Sequence, residues 1–172
     1  MQATLKLKVK RTAMLAAMTI LAACSQAVLI VSAQEPGLDT ACALDGMVLK
    51  DFPGPKAQVQ YAEGKADYYC DLMELFAVLL APEHKRKIAA VFVQDIGKTD
   101  WAKPSGHWIA AKDALFVVGS KKKGSMGPTF GAFSSAQDAA AFVQKEGGKV
   151  VPFDQVTAAM LDTGGAAGDA RH

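Results

Sequence analysis

The chain has 172 residues, with 19 Lys and Arg against 17 Asp and Glu and a formal net charge of +2. That length suits one ordinary domain or two small ones. No basic stripe with interleaved aromatic residues runs through it, which argues against a nucleic-acid partner.

The first residues differ from the rest. Lys6, Lys8, Lys10 and Arg11 precede the apolar run Thr12–Ala23, which meets Cys24. This is the pattern of a secretory signal over residues 1–23. Leu21-Ala-Ala-Cys24 has the form of a bacterial lipobox, which makes Cys24 the acylated N-terminus. Ser25 after it suits outer-membrane sorting. Two alternatives stay open: cleavage after Ala33, and an uncleaved anchor over Thr12–Val31 that Ser25 and Gln26 interrupt. All three place the domain outside the cytoplasm. Removing residues 1–23 takes away four cations and no acids, leaving fifteen Lys and Arg against seventeen Asp and Glu, a net of −2. The positive balance therefore belongs to the targeting segment. Residues 24–41 then form the lipidated N-terminus and a linker, with Gln34–Thr40 a loose tether.

Cys42–Lys56 is turn-rich and holds a thiol, a carboxylate and a thioether at Cys42, Asp45 and Met47, followed by Pro53-Gly54-Pro55. Ala57–Tyr61 alternates as a strand does, Ala62–Lys65 turns, and Ala66–Tyr69 returns as the second arm of a hairpin. Asp71 caps a helix over Leu72–Leu80, whose Leu72, Leu75, Phe76, Leu79 and Leu80 share a face. Pro82 follows as a stop signal. Ile88–Val93 reads as a buried strand. Trp108–Ala111, Ala114–Val118 and Thr129–Phe133 read as strands of a second half. A helix follows over Ala136–Glu146 behind Ser135, ended by Gly147-Gly148. Lys149–Pro152 closes the sheet, and Asp154–Leu161 forms a last short helix. The expected fold is α+β, with two tandem ββαβ modules over 42–98 and 104–161 and a frayed tail over 162–172. Neither half is large enough to bury a comfortable core alone.

Thiolate and thioether side chains select Cu(I) over harder ions. Cys42 and Met47 offer both on one loop. Met126, between Gly124-Ser125 and Gly127-Pro128, sits where neither a helix nor a sheet interior can hold it, so its thioether is displayed. Cys70 precedes a helix cap, where the dipole favours the thiolate. Lys121–Lys123 either forms a solvated surface, attracts an acidic partner or keeps a nearby thiolate ionised. His84, His107 and His172 carry little signal. In an oxidising compartment Cys42 and Cys70 could equally pair as a disulfide.

Gly46-Met47, Phe52-Pro-Gly-Pro-Lys-Ala-Gln58, Tyr69-Cys-Asp71, Val93-Gln-Asp-Ile-Gly97, Phe116-Val-Val-Gly-Ser120, Gly124-Ser-Met-Gly127 and Gly147-Gly148 occur in the order seen in the NosL family. The chain resembles that family over roughly Cys42–Leu161. The resemblance implies a periplasmic, membrane-anchored Cu(I) chaperone, lipidated at Cys24, which helps deliver copper to nitrous oxide reductase alongside other accessory proteins. It also implies two ββαβ modules similar to those of organomercurial lyase. The family's Cys-x-Met motif reads Asp45-Gly46-Met47 here, with Cys42 three residues earlier. The candidate ligands are thus Met47 and Met126 with Cys42 or Cys70, and Asp45 as a weaker one because a carboxylate binds Cu(I) poorly. Two further readings compete with the carrier. One is a non-catalytic envelope lipoprotein that scaffolds a partner enzyme, with Cys42 and Cys70 disulfide-bonded. The other is an enzyme with Cys70 as nucleophile, which fold analogy alone does not license.

Overall fold

A computed structural model describes residues 31–83 and 86–162. The signal segment, Cys24, His84 and the tail beyond 162 lie outside the described residues. The elements run β1 (Ala57–Tyr61), β2 (Asp67–Tyr69), α1 (Leu72–Leu79), β3 (Ile88–Gln94), β4 (Trp108–Ala110), β5 (Leu115–Val118), β6 (Gly131–Phe133), α2 (Ala136–Glu146), β7 (Lys149–Pro152) and α3 (Ala158–Asp162). One sheet has the order β2-β1-β3-β4 and the other β6-β5-β7. All pairings are antiparallel.

The α+β class read from the sequence is what the chain adopts. Strand, strand, helix, strand recurs, and the first strand of each half sits in the middle of its sheet. One strand falls elsewhere than expected. Trp108–Ala110, read as the opening of the second half, pairs instead with β3 at Phe92, Val93 and Gln94. Three residues carry too little pattern to say which sheet they join, and register is decided by the partner.

Local signals behave as their chemistry requires. The Asp71 carboxylate accepts from the backbone N–H groups of Met73 and Glu74, capping α1. The Ser135 hydroxyl accepts from Asp138 N–H, capping α2. Gly147 ends α2 at φ +77°, a conformation that side-chain-bearing residues rarely take.

The N-terminal stretch is less free than its composition suggests. The Gln58 side chain lies on the β1 face opposite Val59, accepts from Gln34 N–H at 2.9 Å and donates to Gln34 O at 2.9 Å. Gln60 Nε2 donates to Gln58 Oε1. The Glu35 carboxylate accepts from Trp108 Nε1–H at 2.7 Å and Gly106 N–H at 3.2 Å. The start of the expected tether is therefore strapped onto the first sheet. A side-chain amide satisfies a peptide as a neighbouring strand would.

The two halves share a core. Phe76 of α1 packs edge-on against Phe116 of β5, with centroids 5.0 Å apart, and also meets Phe130 and Phe153. Alternation along β5 explains this. Phe116 and Val118 face the common core with Val59, Val93 and Leu75, while Leu115 and Val117 face α2 through Ala139, Phe142 and Val143.

Phe76→Ala removes a ring in contact with both halves and should lower stability by about 3–5 kcal/mol. Because the core is shared, urea unfolding followed by both Trp fluorescence and circular dichroism should stay a single coincident transition. Two separated transitions, only one of them shifted, would contradict a common core.

Candidate metal centre

The loop before β1 is closed on itself. Cys42 N–H donates to Met47 O at 2.7 Å, and Gly46 N–H to Cys42 O at 3.0 Å. The Asp45 carboxylate accepts from Met47 N–H at 2.9 Å. Gly46 makes the turn at φ +78°. Ala43 N–H then donates to Tyr68 O, which pins the loop along β2. Cys70 directly follows that strand, so the pinning brings the two cysteines together. Cys42 Sγ, Cys70 Sγ and an Asp45 carboxylate oxygen all lie within 4.8 Å of one another. Both thiols are buried, Cys42 at 3% exposure and Cys70 at 0%, whereas Asp45 is exposed. The cluster thus opens to solvent on the Asp45 side. Neither cysteine is disulfide-bonded, so the covalent pairing weighed from the sequence is not what the structure forms. Metal–thiolate bonds of roughly 2.3 Å put two sulfurs sharing one ion at most about 4.6 Å apart. The observed cluster, within 4.8 Å, is close to that spacing.

Met47 is not displayed. Its side chain is half-buried and packs against the core, and its carbonyl accepts from Cys70 Sγ–H at 3.6 Å. Met126 is displayed, at 73% exposure. Its loop closes through Gly124 N–H to Gly127 O at 2.7 Å. Ser125 Oγ–H donates to Asp71 Oδ2 at 2.7 Å. A side chain on Gly124 would meet Asp71 Cβ at 3.0 Å, so glycine is needed for this approach. The thioether loop of the second half is thereby latched to the residue after Cys70. Lys122 lies over the Trp101 ring.

Two residues outside the sequence-derived set complete the surroundings. Glu74 Oε2 accepts from Cys42 Sγ–H and from Cys70 N–H, both at 2.9 Å. Glu74 Oε1 is buried and has no hydrogen-bond partner among the described residues. The signal was present as Asp71-x-x-Glu74, the spacing of a capping box, but this glutamate reaches one residue further back than the cap. Lys56 Nζ donates to the carbonyls of Phe52, Pro53 and Cys70. A lysine directly after Pro-Gly-Pro was its only trace in the sequence.

Burial decides the ionisation of the thiols. It pushes Cys70 well above the usual thiol range, and the neighbouring Cys42 and Glu74 add to the shift. Burial also raises Cys42, with the hydrogen bond to Glu74 acting in the same direction. This runs against the reading of Cys70 as activated by the helix N-terminus: burial is the largest cause of its shift, and it raises the thiol. Glu74 is likewise raised by burial. Lys56 is pushed down to about 8 by burial, against the pull of Cys70, Asp71, Glu74 and Cys42.

Residues 34–161 match the model of the NosL family. The chain belongs to the NosL family. It is 38% identical over 121 residues to the copper-binding lipoprotein NosL of Stutzerimonas stutzeri, covering 70% of this chain and 63% of that one, less than two thirds of the relative's length. It is 37% identical over 155 residues to the copper-binding lipoprotein NosL of Achromobacter cycloclastes, covering 86% of this chain and 80% of that one. Its fold is similar to the crystal structure of the copper chaperone NosL from Shewanella denitrificans, with a TM-score of 0.71 and 41% identity, over 74% of this chain and 97% of that one.

With both thiols raised, each stays protonated past the ordinary thiol value of 9.0. Iodoacetamide labelling of the metal-free protein, read peptide by peptide by mass spectrometry, should therefore still be accelerating above pH 9 at Cys42 and Cys70. Unfolded protein should level off near the ordinary value. A folded-state plateau below pH 8 at either cysteine would contradict the burial argument.

Proposed function

We propose that this protein is a copper carrier, not an enzyme, which holds one Cu(I) between Cys42 and Cys70 and passes it on in the cell envelope. The observation that carries the reading is the pair of free, buried thiols that meet under an open edge. Two soft anionic ligands suit a monovalent soft ion. The open side leaves room for an incoming ligand from a recipient. The buried, protonated state of Cys70 argues against a nucleophile's role.

In this reading the thioethers complete the site. Met126 swings from its exposed position onto the ion, guided by the Ser125–Asp71 latch, and Met47 supports the loop from beneath with its thioether as a second candidate. Asp45 sits at the mouth as a weak ligand. The recipient is nitrous oxide reductase during its maturation, reached together with other accessory proteins. Cys24 carries the lipid that keeps the domain on the membrane, on the periplasmic side and at the outer membrane. Support for the copper assignment comes from the relatives' names, and support for Cu(I) comes from the donor set.

Anaerobic titration of the purified protein with Cu(I) against a chromophoric chelator tests this. Cys42→Ser and Cys70→Ser should each weaken binding by more than about 100-fold, beyond what loss of a supporting residue costs. Met126→Ala should cost about tenfold, and Ser125→Ala a part of that by freeing the loop. A Cys42→Ser/Cys70→Ser protein that binds as the parent does would overturn the assignment.

A further inference from the structure

Behind the thiol pair lies a buried cation with no carboxylate in salt-bridge contact among the described residues, although Asp71 and Glu74 attract it. Lys56 is 3% exposed. Its Nζ donates to Phe52 O at 2.8 Å, Pro53 O at 3.1 Å and Cys70 O at 2.9 Å. All three N–H donors are thus committed to neutral carbonyls. Among the described residues no Asp or Glu oxygen forms a salt bridge with it. A buried charge is costly unless something compensates it, and buried lysines are normally paired. The three carbonyls explain where the side chain sits. They do not explain why the group there carries a charge, since a neutral amide could donate to two of them.

We propose that Lys56 sets the charge selectivity of the site, favouring a monovalent over a divalent ion on the two cysteines. This rests on the thiol pair being the metal site. On binding, the two S–H bonds break, two protons leave to solvent and two sulfur–metal bonds form. With a monovalent ion the site's charge changes by −1. With a divalent ion it does not change. A positive charge beside the Cys70 backbone stabilises the first product and is indifferent to the second. Asp45, Asp71 and Glu74 also face the site, but their contributions are common to the protein with and without Lys56. The comparison between two ions, and between two side chains at position 56, therefore isolates the cation.

The experiment measures Cu(I) and Zn(II) affinities of the full chain by anaerobic competition, for the parent, Lys56→Gln and Lys56→Arg. Gln keeps donors without charge, and Arg keeps both. Lys56→Gln should lower the Cu(I) affinity about tenfold or more while leaving Zn(II) within about twofold, as expected for loss of a unit charge at short range in a partly buried site. Lys56→Arg should retain the parent's Cu(I)-to-Zn(II) ratio. A packing role would lower both affinities together, and either that result or an unchanged ratio in Lys56→Gln would overturn the proposal. Should Lys56→Gln fail to fold, the parent itself decides. Its Cu(I)-to-Zn(II) ratio must exceed that of dithiothreitol, an uncharged dithiol, and a ratio at or below it counts against Lys56. Cys42→Ser/Cys70→Ser in the same assay separates the two claims. If it leaves Cu(I) binding intact the site is misplaced, whereas if it abolishes binding while the Lys56→Gln ratio stays put, only the role of Lys56 falls.

Discussion

The junction Tyr69-Cys70-Asp71 constrains everything around it. Within three residues the chain stops being a strand and starts being a helix, and each polar group there is committed in a different direction. Cys70 N–H goes to the Glu74 carboxylate and Cys70 O to the Lys56 ammonium. Asp71 caps α1 with one oxygen and holds Ser125 with the other. The Cys70 thiol is left facing Cys42 with its backbone immobilised on both sides.

That rigidity makes sense of the shared core. The proposed soft-metal site, drawing on a loop of the first half and a loop of the second, needs the halves to keep one arrangement. Phe76, set in α1 only six residues after Cys70, enters the aromatic cluster of the other sheet. Packing of this density admits little sliding. The open edge of the proposed site is the opposite case. Asp45 and Met126 are exposed on turns held by a few backbone hydrogen bonds, and segments of that kind open at low cost. A carrier needs both properties: ligands held still behind and access left free in front.

Much of this was legible in the residues. Ser135 and Gly147 bound α2 where cap chemistry places them, and Asp71 bounds the start of α1. The alternation in Ala57–Tyr61 and the turn at Gly64 give the β1–β2 hairpin. The Met126 loop is exposed because Gly-Ser-Met-Gly-Pro admits no regular element. What stayed hidden depended on contacts distant in sequence. The strapping of Gln34 and Glu35 lies in Gln58 and Trp108, side chains that look like ordinary strand residues. The partner of Trp108–Ala110 is set by which sheet edge is free. For Cys70 the helix dipole is visible in a sequence and desolvation is not. Met47 was read as a ligand on a turn-rich loop, yet the fold tucks its side chain against the core. Glu74 and Lys56 went unnoticed for the same reason. A charged residue in a sequence is presumed to face water, and only the fold reveals one that does not.

The account stands on a single copper ion held between the two buried cysteines, and X-ray absorption at the copper edge of the anaerobically loaded protein addresses that claim most directly. The edge should have the shape of Cu(I), with two short sulfur bonds, and the sulfur signal should drop by one scatterer in Cys70→Ser. A coordination sphere made of oxygen and nitrogen, or one unaffected by the Cys70 change, would contradict it.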